Sequence, residues 1–276
     1  MKVKEIVDRI IKKTDVPPLP AEKTCDQLMA GSFDQEVHKI AVTFMATVDV
    51  IKKATATGVD LIITHEPTWF TGEDKTDWLE GDPVYLKKRE LIEQTGIAIW
   101  RFHDHMHMAA VDGIMYGFDE EVGWHQYRMS PDEGLLGGKG DYSYKIPKTS
   151  LRDLCAFFKS KLSMDVVQIV GDSDMTVERV GVLPGGGSLG LFTEYHPMQL
   201  MRHRELDVLV CGEILEWRLP AYVRDAHQLG IAKAILVLGH ERSEEPGMKH
   251  MVEWMSDVTP GLPVVFIDSE EPFLYL

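Results

Sequence analysis

An α/β fold with mostly parallel sheets is what this sequence predicts, on three observations. Short apolar runs alternate with segments of helical periodicity along nearly the whole chain. Glycines sit where those helical segments should stop, at Gly58, Gly96 and Gly230. Several of the apolar runs end directly on histidine and carboxylate residues, as the functional edge of a parallel sheet does.

The elements follow in order. Ile6, Ile10 and Ile11 share one face of an opening helix, which the proline-rich TDVPPLP at 14–20 must end. Residues 38–44 read as a strand, 48–57 as a helix and 59–64 as a buried strand. The acidic stretch 72–83 reads as a surface loop, 85–95 as a helix, 97–102 as a strand and 112–122 as a helix. Residues 124–149, rich in Gly, Pro and Ser, read as an irregular segment with a hairpin near Tyr142 and Tyr144, and as the place to divide the chain. A second round follows: helix 150–161, strands 166–170 and 179–183, a PGGGS turn, and helix 196–203. It closes with strand 208–211, helix 219–229, strand 234–238, helix 246–256 and strand 264–267.

Composition bounds the function. The 276 residues are enough for one large domain or two small ones. A net charge of −15 argues against polyanionic partners, so nucleic acid and anionic membrane are not expected. Three scattered cysteines, Cys25, Cys155 and Cys211, make neither a disulfide framework nor a thiolate zinc site, which suits a reducing, cytoplasmic setting. The N-terminal residues, MKVKEIVDRIIKK, interleave charge with every apolar stretch and do not read as a signal peptide.

The chemistry concentrates after three strands. Residues 59–64 lead into His65 and Glu66, residues 97–102 into His103, Asp104, His105 and His107, and residues 234–238 into His240 and Glu244. Parallel strands would bring these residues to one sheet edge, and imidazole with carboxylate suits zinc, iron or manganese. His103 and His107, like His240 and Glu244, are four apart, which on a helix puts both on one face. The opposing interpretation is that single histidines after strands are ordinary core or surface residues and that HDHMH is a solvated tract. Three strand ends carrying the same ligand types outweigh it. PGGGS could form an anion nest or a plain tight turn, and Glu213 and Glu216 read first as helix-start charges. Trp69 and Phe70 could stack on a planar substrate, yet aromatics are more often core residues, and no GxSxG elbow or side-chain nucleophile stands out.

These segments resemble a known family. VDLIITHEPTWF is similar to its strand followed by His-His-Pro, and IAIWRFHDHMHM to its strand followed by His-x-x-x-Asp. LVLGHERSEEPGMKHMVEWM resembles its Gly-His-x-x-(Ser/Thr)-Glu block, with looser likeness in RVGVLPGGGS and LDVLVCGEILEW. The family is that of the Nif-three-like dinuclear metal centre proteins, the GTP cyclohydrolase type 2 homologues. The resemblance implies two related three-layer-type α/β domains with mostly parallel sheets and a metal site at strand carboxyl ends between them. It implies residues 1–125 plus 240–276 as one domain and 126–239 as the other, and a toroidal homohexamer. It implies His65, Glu66, His103, His107, His240 and Glu244 as ligands of two divalent ions per chain. Glu66 stands where the family has His and His107 where it has Asp, so the four imidazoles and two carboxylates are retained in a different order. The expected activity is metal-dependent hydrolysis of a small nucleotide-like or phosphorylated substrate, with Asp104 or Glu241 as general base. The alternative is a non-enzymatic metal-binding scaffold that engages a partner protein.

Overall fold

The structure is a computed structural model that describes residues 1–132, 140–190 and 193–276. The chain divides into two compact units, residues 1–117 with 247–270, and residues 118–246 with 271–276.

The first unit is built on strands β1 (Leu28–Ala30), β2 (Ile40–Thr43), β3 (Leu61–Thr64), β4 (Ala98–Arg101) and β10 (Val264–Phe266), in the order β1-β4-β3-β2-β10. β10, β2, β3 and β4 are parallel, and β1 lies antiparallel on the β4 edge. Each central strand is buried on both faces, and successive residues split between two cores as the pleat requires. Ile40, Val42, Leu61, Ile63 and Trp100 meet helix α1 (Val3–Thr14) through Ile6 and Ile10, and meet Met248, Met251 and Met255 of α9 (His240–Val258). Ala41, Ile62 and Ile99 face α2 (Val48–Ala56) and α3 (Pro83–Thr95) through Val50, Ile51, Ala54 and Ile92. The start of α2 is capped by Thr47, whose side chain accepts from the Val50 N–H, and that of α3 by Asp82, which accepts from Val84 and Tyr85. Short α4 (Asp104–Met108) and α5 (Gly113–Val122) follow β4.

The second unit carries β5 (Ser143–Ser150), β6 (Gln168–Val170), β7 (Thr176–Leu183), β8 (Val208–Cys211) and β9 (Ala234–Val237), ordered β5-β7-β8-β9-β6. β7, β8 and β9 are parallel, and both edge strands run antiparallel to their neighbours. α7 (His196–His203) and α8 (Leu219–Gln228) cover one face through Leu200, Met201, Leu219 and Val223. α6 (Leu151–Lys161) brings Phe157 and Phe158 against Trp124, and the Trp124 ring also lies against Tyr144.

The expected α/β architecture with largely parallel sheets is what the chain adopts. Four details differ from what the sequence predicts. β1 has no sequence signal, because three half-buried residues give too little periodicity. β5 pairs along its length with β7, the 124–149 segment contributes locally an isolated antiparallel bridge from Arg128 to Tyr144, and residues 133–139 lie outside the described residues. The acidic 72–83 stretch is no simple surface loop, because Asp74 and Leu79 are buried. α9 begins at His240, with Pro246 inside it, not at Pro246. Proline is best tolerated at a helix start, where its missing N–H is no loss, and that preference points to the wrong boundary here. Gly239, at φ 84°, makes the turn out of β9 and lets the helix start at once. Among the described residues no helix is long and apolar enough to cross a membrane.

Candidate metal centre

In the first unit the parallel strands β3 and β4 end side by side, Thr64 paired with Arg101. The residues that follow are therefore neighbours: His65 and Glu66 after β3, His103 and the α4 turn after β4. The rings of His65 and His103 stack at 4.6 Å between centroids, and His107 stands edge-on at 5.1 Å from His65 and 4.7 Å from His103. One ring nitrogen from each lies within 4.8 Å of the other two. Glu66 joins them, with Oε1 at 3.9 Å from His103 Nε2.

Each imidazole is oriented through Nδ1. His65 Nδ1 lies 3.1 Å from the Phe102 carbonyl, His103 Nδ1 3.1 Å from Asp104 Oδ1, and His107 Nδ1 3.0 Å from Asp112 Oδ2. A carbonyl or an ionised carboxylate can only accept, so Nδ1 is the protonated nitrogen in all three and Nε2 keeps its lone pair. Metal-ligating histidines are held in this way, the outer hydrogen bond fixing both tautomer and ring direction. Burial, reinforced by the neighbouring His65, pushes the His103 pKa down and favours its neutral form. The hydrogen bond from His103 holds Asp104 well below the usual carboxylate range, helped by Cys25 and Thr24. The donor set fits a divalent cation: three imidazoles oriented through Nδ1 and a carboxylate beside them.

Arg101 is the organiser that sequence reasoning missed. It ends β4 and is 3% exposed. Its Nε donates to the His65 carbonyl at 3.2 Å and Nη1 to the Gly72 carbonyl at 2.6 Å, while Nη2 lies 3.6 Å from Glu66 Oε2 and Nη1 3.5 Å from Asp74 Oδ2. One guanidinium thus shapes the 65–74 loop and faces Glu66. The signal available was a lone arginine inside the apolar run IAIWRF.

The middle histidine of HDHMH is not part of the ring cluster. His105 is buried with Nδ1 2.5 Å from Asp26. Trp69 is a core residue, whereas Phe70 is exposed.

In the second unit, β7, β8 and β9 bring Pro184–Gly185, Gly212–Glu213 and His240 to one sheet edge. His240 Nε2 lies 3.1 Å from Glu244 Oε2 one turn along α9, and His240 Nδ1 lies 3.5 Å from Glu213 Oε2. Glu213 thus faces a candidate ligand and is no helix-start charge, since α8 begins at Leu219 and carries no acidic residue in its first turn. Glu241, in the same first turn of α9, is buried. Of PGGGS, Gly185 (φ 49°) passes so near that a Cβ there would fall 1.9 Å from Glu244 Oε1 and 2.7 Å from His240 Nε2. Gly185 therefore serves close approach of backbone to the ligand pair.

Gly212 repeats the device between backbones. Its added Cβ would meet Gly185 N at 2.3 Å and Gly185 O at 2.4 Å, and the two turns are joined by the Glu213 N–H donating to Gly185 O at 2.8 Å. Replacing Gly212 by alanine is expected to cost about 1–3 kcal/mol, since main chain rather than a flexible side chain must shift. Urea unfolding of the variant checks this, and a loss below about 0.5 kcal/mol would show that the turns part at little cost.

Comparison with known proteins places the chain in a family. A "GTP cyclohydrolase 1 type 2 homolog" of Clostridium perfringens is 23% identical over 286 residues, covering all of both chains. The structure of the Staphylococcus aureus protein SA1388 matches with a TM-score of 0.73 at 18% identity, covering 100% of this chain and 99% of that one. A Bacillus cereus protein related to NIF3 matches with a TM-score of 0.73 at 16% identity and the same coverage. Residues 1–272 match one family along their whole length, and the chain belongs to it: the Duf34/NIF3 (NGG1p interacting factor 3) family.

Proposed function

We propose that this chain is a metal-dependent hydrolase of a small nucleotide-like or phosphorylated substrate, holding two divalent ions such as zinc, iron or manganese. The observation that carries the metal reading is the tethering of Nδ1 in His65, His103 and His107 to oxygen acceptors. Histidines with only packing to do need no acceptor on one ring nitrogen, whereas metal-ligating histidines almost always donate their other ring N–H to a carboxylate or carbonyl. Glu66 supplies negative charge beside them, and His240 and Glu244 are proposed as further ligands. The name of the C. perfringens relative supports hydrolytic ring-opening chemistry on a nucleotide.

When bound, a divalent ion supplies Lewis acidity toward a phosphoryl or carbonyl oxygen. The protein's part is to aim the imidazoles, which the Nδ1 contacts to Phe102, Asp104 and Asp112 do. Asp104, engaged by His103, Thr24 and Cys25, is committed to orientation. Glu241 is the carboxylate we assign to proton transfer. We also propose a homohexamer, following the family resemblance.

The test is metal analysis of protein prepared without added metal, followed by a screen of nucleotides and phosphoesters with and without chelator. The expected result is two ions per chain and hydrolysis that chelation abolishes and metal restores. His103→Ala should weaken metal binding by at least about 100-fold. Tightly held metal with no hydrolysis of any substrate would instead favour the scaffold reading, to which the interaction named in the family's description lends support. Protein without metal, and with hydrolysis indifferent to chelator, would end the metal reading. Light scattering that gives a monomer would end the hexamer.

A further inference from the structure

We infer that Asp26 is a positioning residue that aims His103 and His107 at either end of the α4 turn, and so sets the strength and geometry of cation binding there. The inference rests on the metal reading above and goes beyond its ligand set.

The Asp26 side chain is 2% exposed. It accepts from four N–H groups of one short segment: His103 N at 2.6 Å and Asp104 N at 2.8 Å on Oδ1, His105 N at 3.0 Å and His105 Nδ1 at 2.5 Å on Oδ2. Three of these are main-chain donors at the start of α4, which has no cap of its own, since the His103 side chain makes none. Burial excludes water as a substitute acceptor, and one carboxylate holds the whole turn.

The delivery of Asp26 is equally specific. β1 pairs antiparallel with β4, Leu28 opposite Trp100, and the Arg101 N–H donates to the Gln27 carbonyl at 2.8 Å. The chain before β1 is thereby laid along the end of β4, next to the strand's exit into His103. The contact is returned: Asp104 accepts from Thr24 Oγ1 at 2.9 Å, Cys25 N at 2.9 Å and Cys25 Sγ at 3.3 Å, while also holding His103 Nδ1. Two carboxylates interlock residues 24–26 with residues 103–105. The His105 ring completes the clasp, since its Nε2 has no hydrogen-bond partner among the described residues and its Nδ1 is bound to Asp26.

His103 and His107 leave this single turn four residues apart, so a small rotation of the turn displaces both rings together. Other residues hold one ring each, whereas Asp26 holds the backbone that carries two.

The test is titration with cobalt(II) of the full chain and of D26N, following both affinity and the visible cobalt spectrum, with thermal unfolding of the metal-free proteins in parallel. Asparagine keeps the size but replaces one acceptor oxygen with a donor that faces N–H groups. The expected result is a folded D26N with cobalt affinity roughly ten- to a hundred-fold lower and altered ligand-field bands. A cap acting on stability alone would lower the unfolding temperature and leave the spectrum and affinity of the folded protein unchanged, and that result overturns the inference. If D26N does not fold, D26S takes its place, because serine still caps a helix start but cannot serve four donors. The same two readouts decide it. A parent protein that binds no cobalt overturns the metal reading itself, whereas parent and variant binding alike overturn only the role of Asp26.

Discussion

Replacing Arg101 by methionine is expected to destabilise the protein by about 3–5 kcal/mol, the cost of breaking a buried ion pair from one side. Methionine fills much of the space of the arginine stem but leaves the carboxylates of Glu66 and Asp74 without their cation, and the carbonyls of His65 and Gly72 without that donor. Arg101→Lys should recover little of the loss. A single ammonium cannot reach four groups spread along a loop, whereas the guanidinium presents five donors in a fixed plane. Urea unfolding of both variants measures the effect. A loss under about 1 kcal/mol for the methionine variant would mean that the 65–74 loop is held by its packing alone. Because Arg101 faces Glu66, the same variant should also bind metal less tightly.

Lys88→Met is expected to show a stability difference that depends strongly on pH. Lys88 is 5% exposed, donates to the Thr68 carbonyl at 2.8 Å and lies over the rings of Trp69 and Phe70. Burial pushes its pKa down from 10.5 to about 8, with Asp74 opposing the shift. A lysine lowered in this way is charged in both folded and unfolded states below pH 8, where the folded state bears the full cost. Between about 8 and 10.5 the unfolded chain binds more protons, so the stability of the parent rises with pH relative to the methionine variant. The shift corresponds to roughly 3 kcal/mol. Unfolding free energies of both proteins at pH 7 and pH 10 should therefore show the variant gaining on the parent at pH 7 and giving up most of that gain at pH 10. A difference that stays constant would mean that the ammonium is solvated in the folded protein.

Much of the candidate site is legible in the amino-acid sequence. His65, Glu66, His103 and His107 stand out as residues directly after apolar runs, and they gather because β3 and β4 are parallel and in register. His240 and Glu244 stand out through their spacing of four, which α9 realises as one turn. The residues without a sequence signal share a common character. Lys88 lies in a helix whose apolar periodicity is weak, and nothing near it in sequence marks it as buried. Gly212 reads as an ordinary glycine until Gly185 is placed against it.

The sequence by itself determined the alternation of strands and helices and the chemical type of the candidate ligands. Hydrophobic periodicity and residue identity are local properties, decided within a few neighbours. Only the tertiary structure decided which nitrogen each histidine offers. His103 and His107 take their Nδ1 partners, Asp104 and Asp112, from one and five residues away, but His65 depends on a carbonyl 37 residues distant. The turn that aims two of these rings is held by Asp26, 77 residues before His103. Such contacts exist because sheet pairing lays β1 on β4 and β4 on β3, bringing remote main chain within hydrogen-bonding distance, and no window of sequence contains both partners.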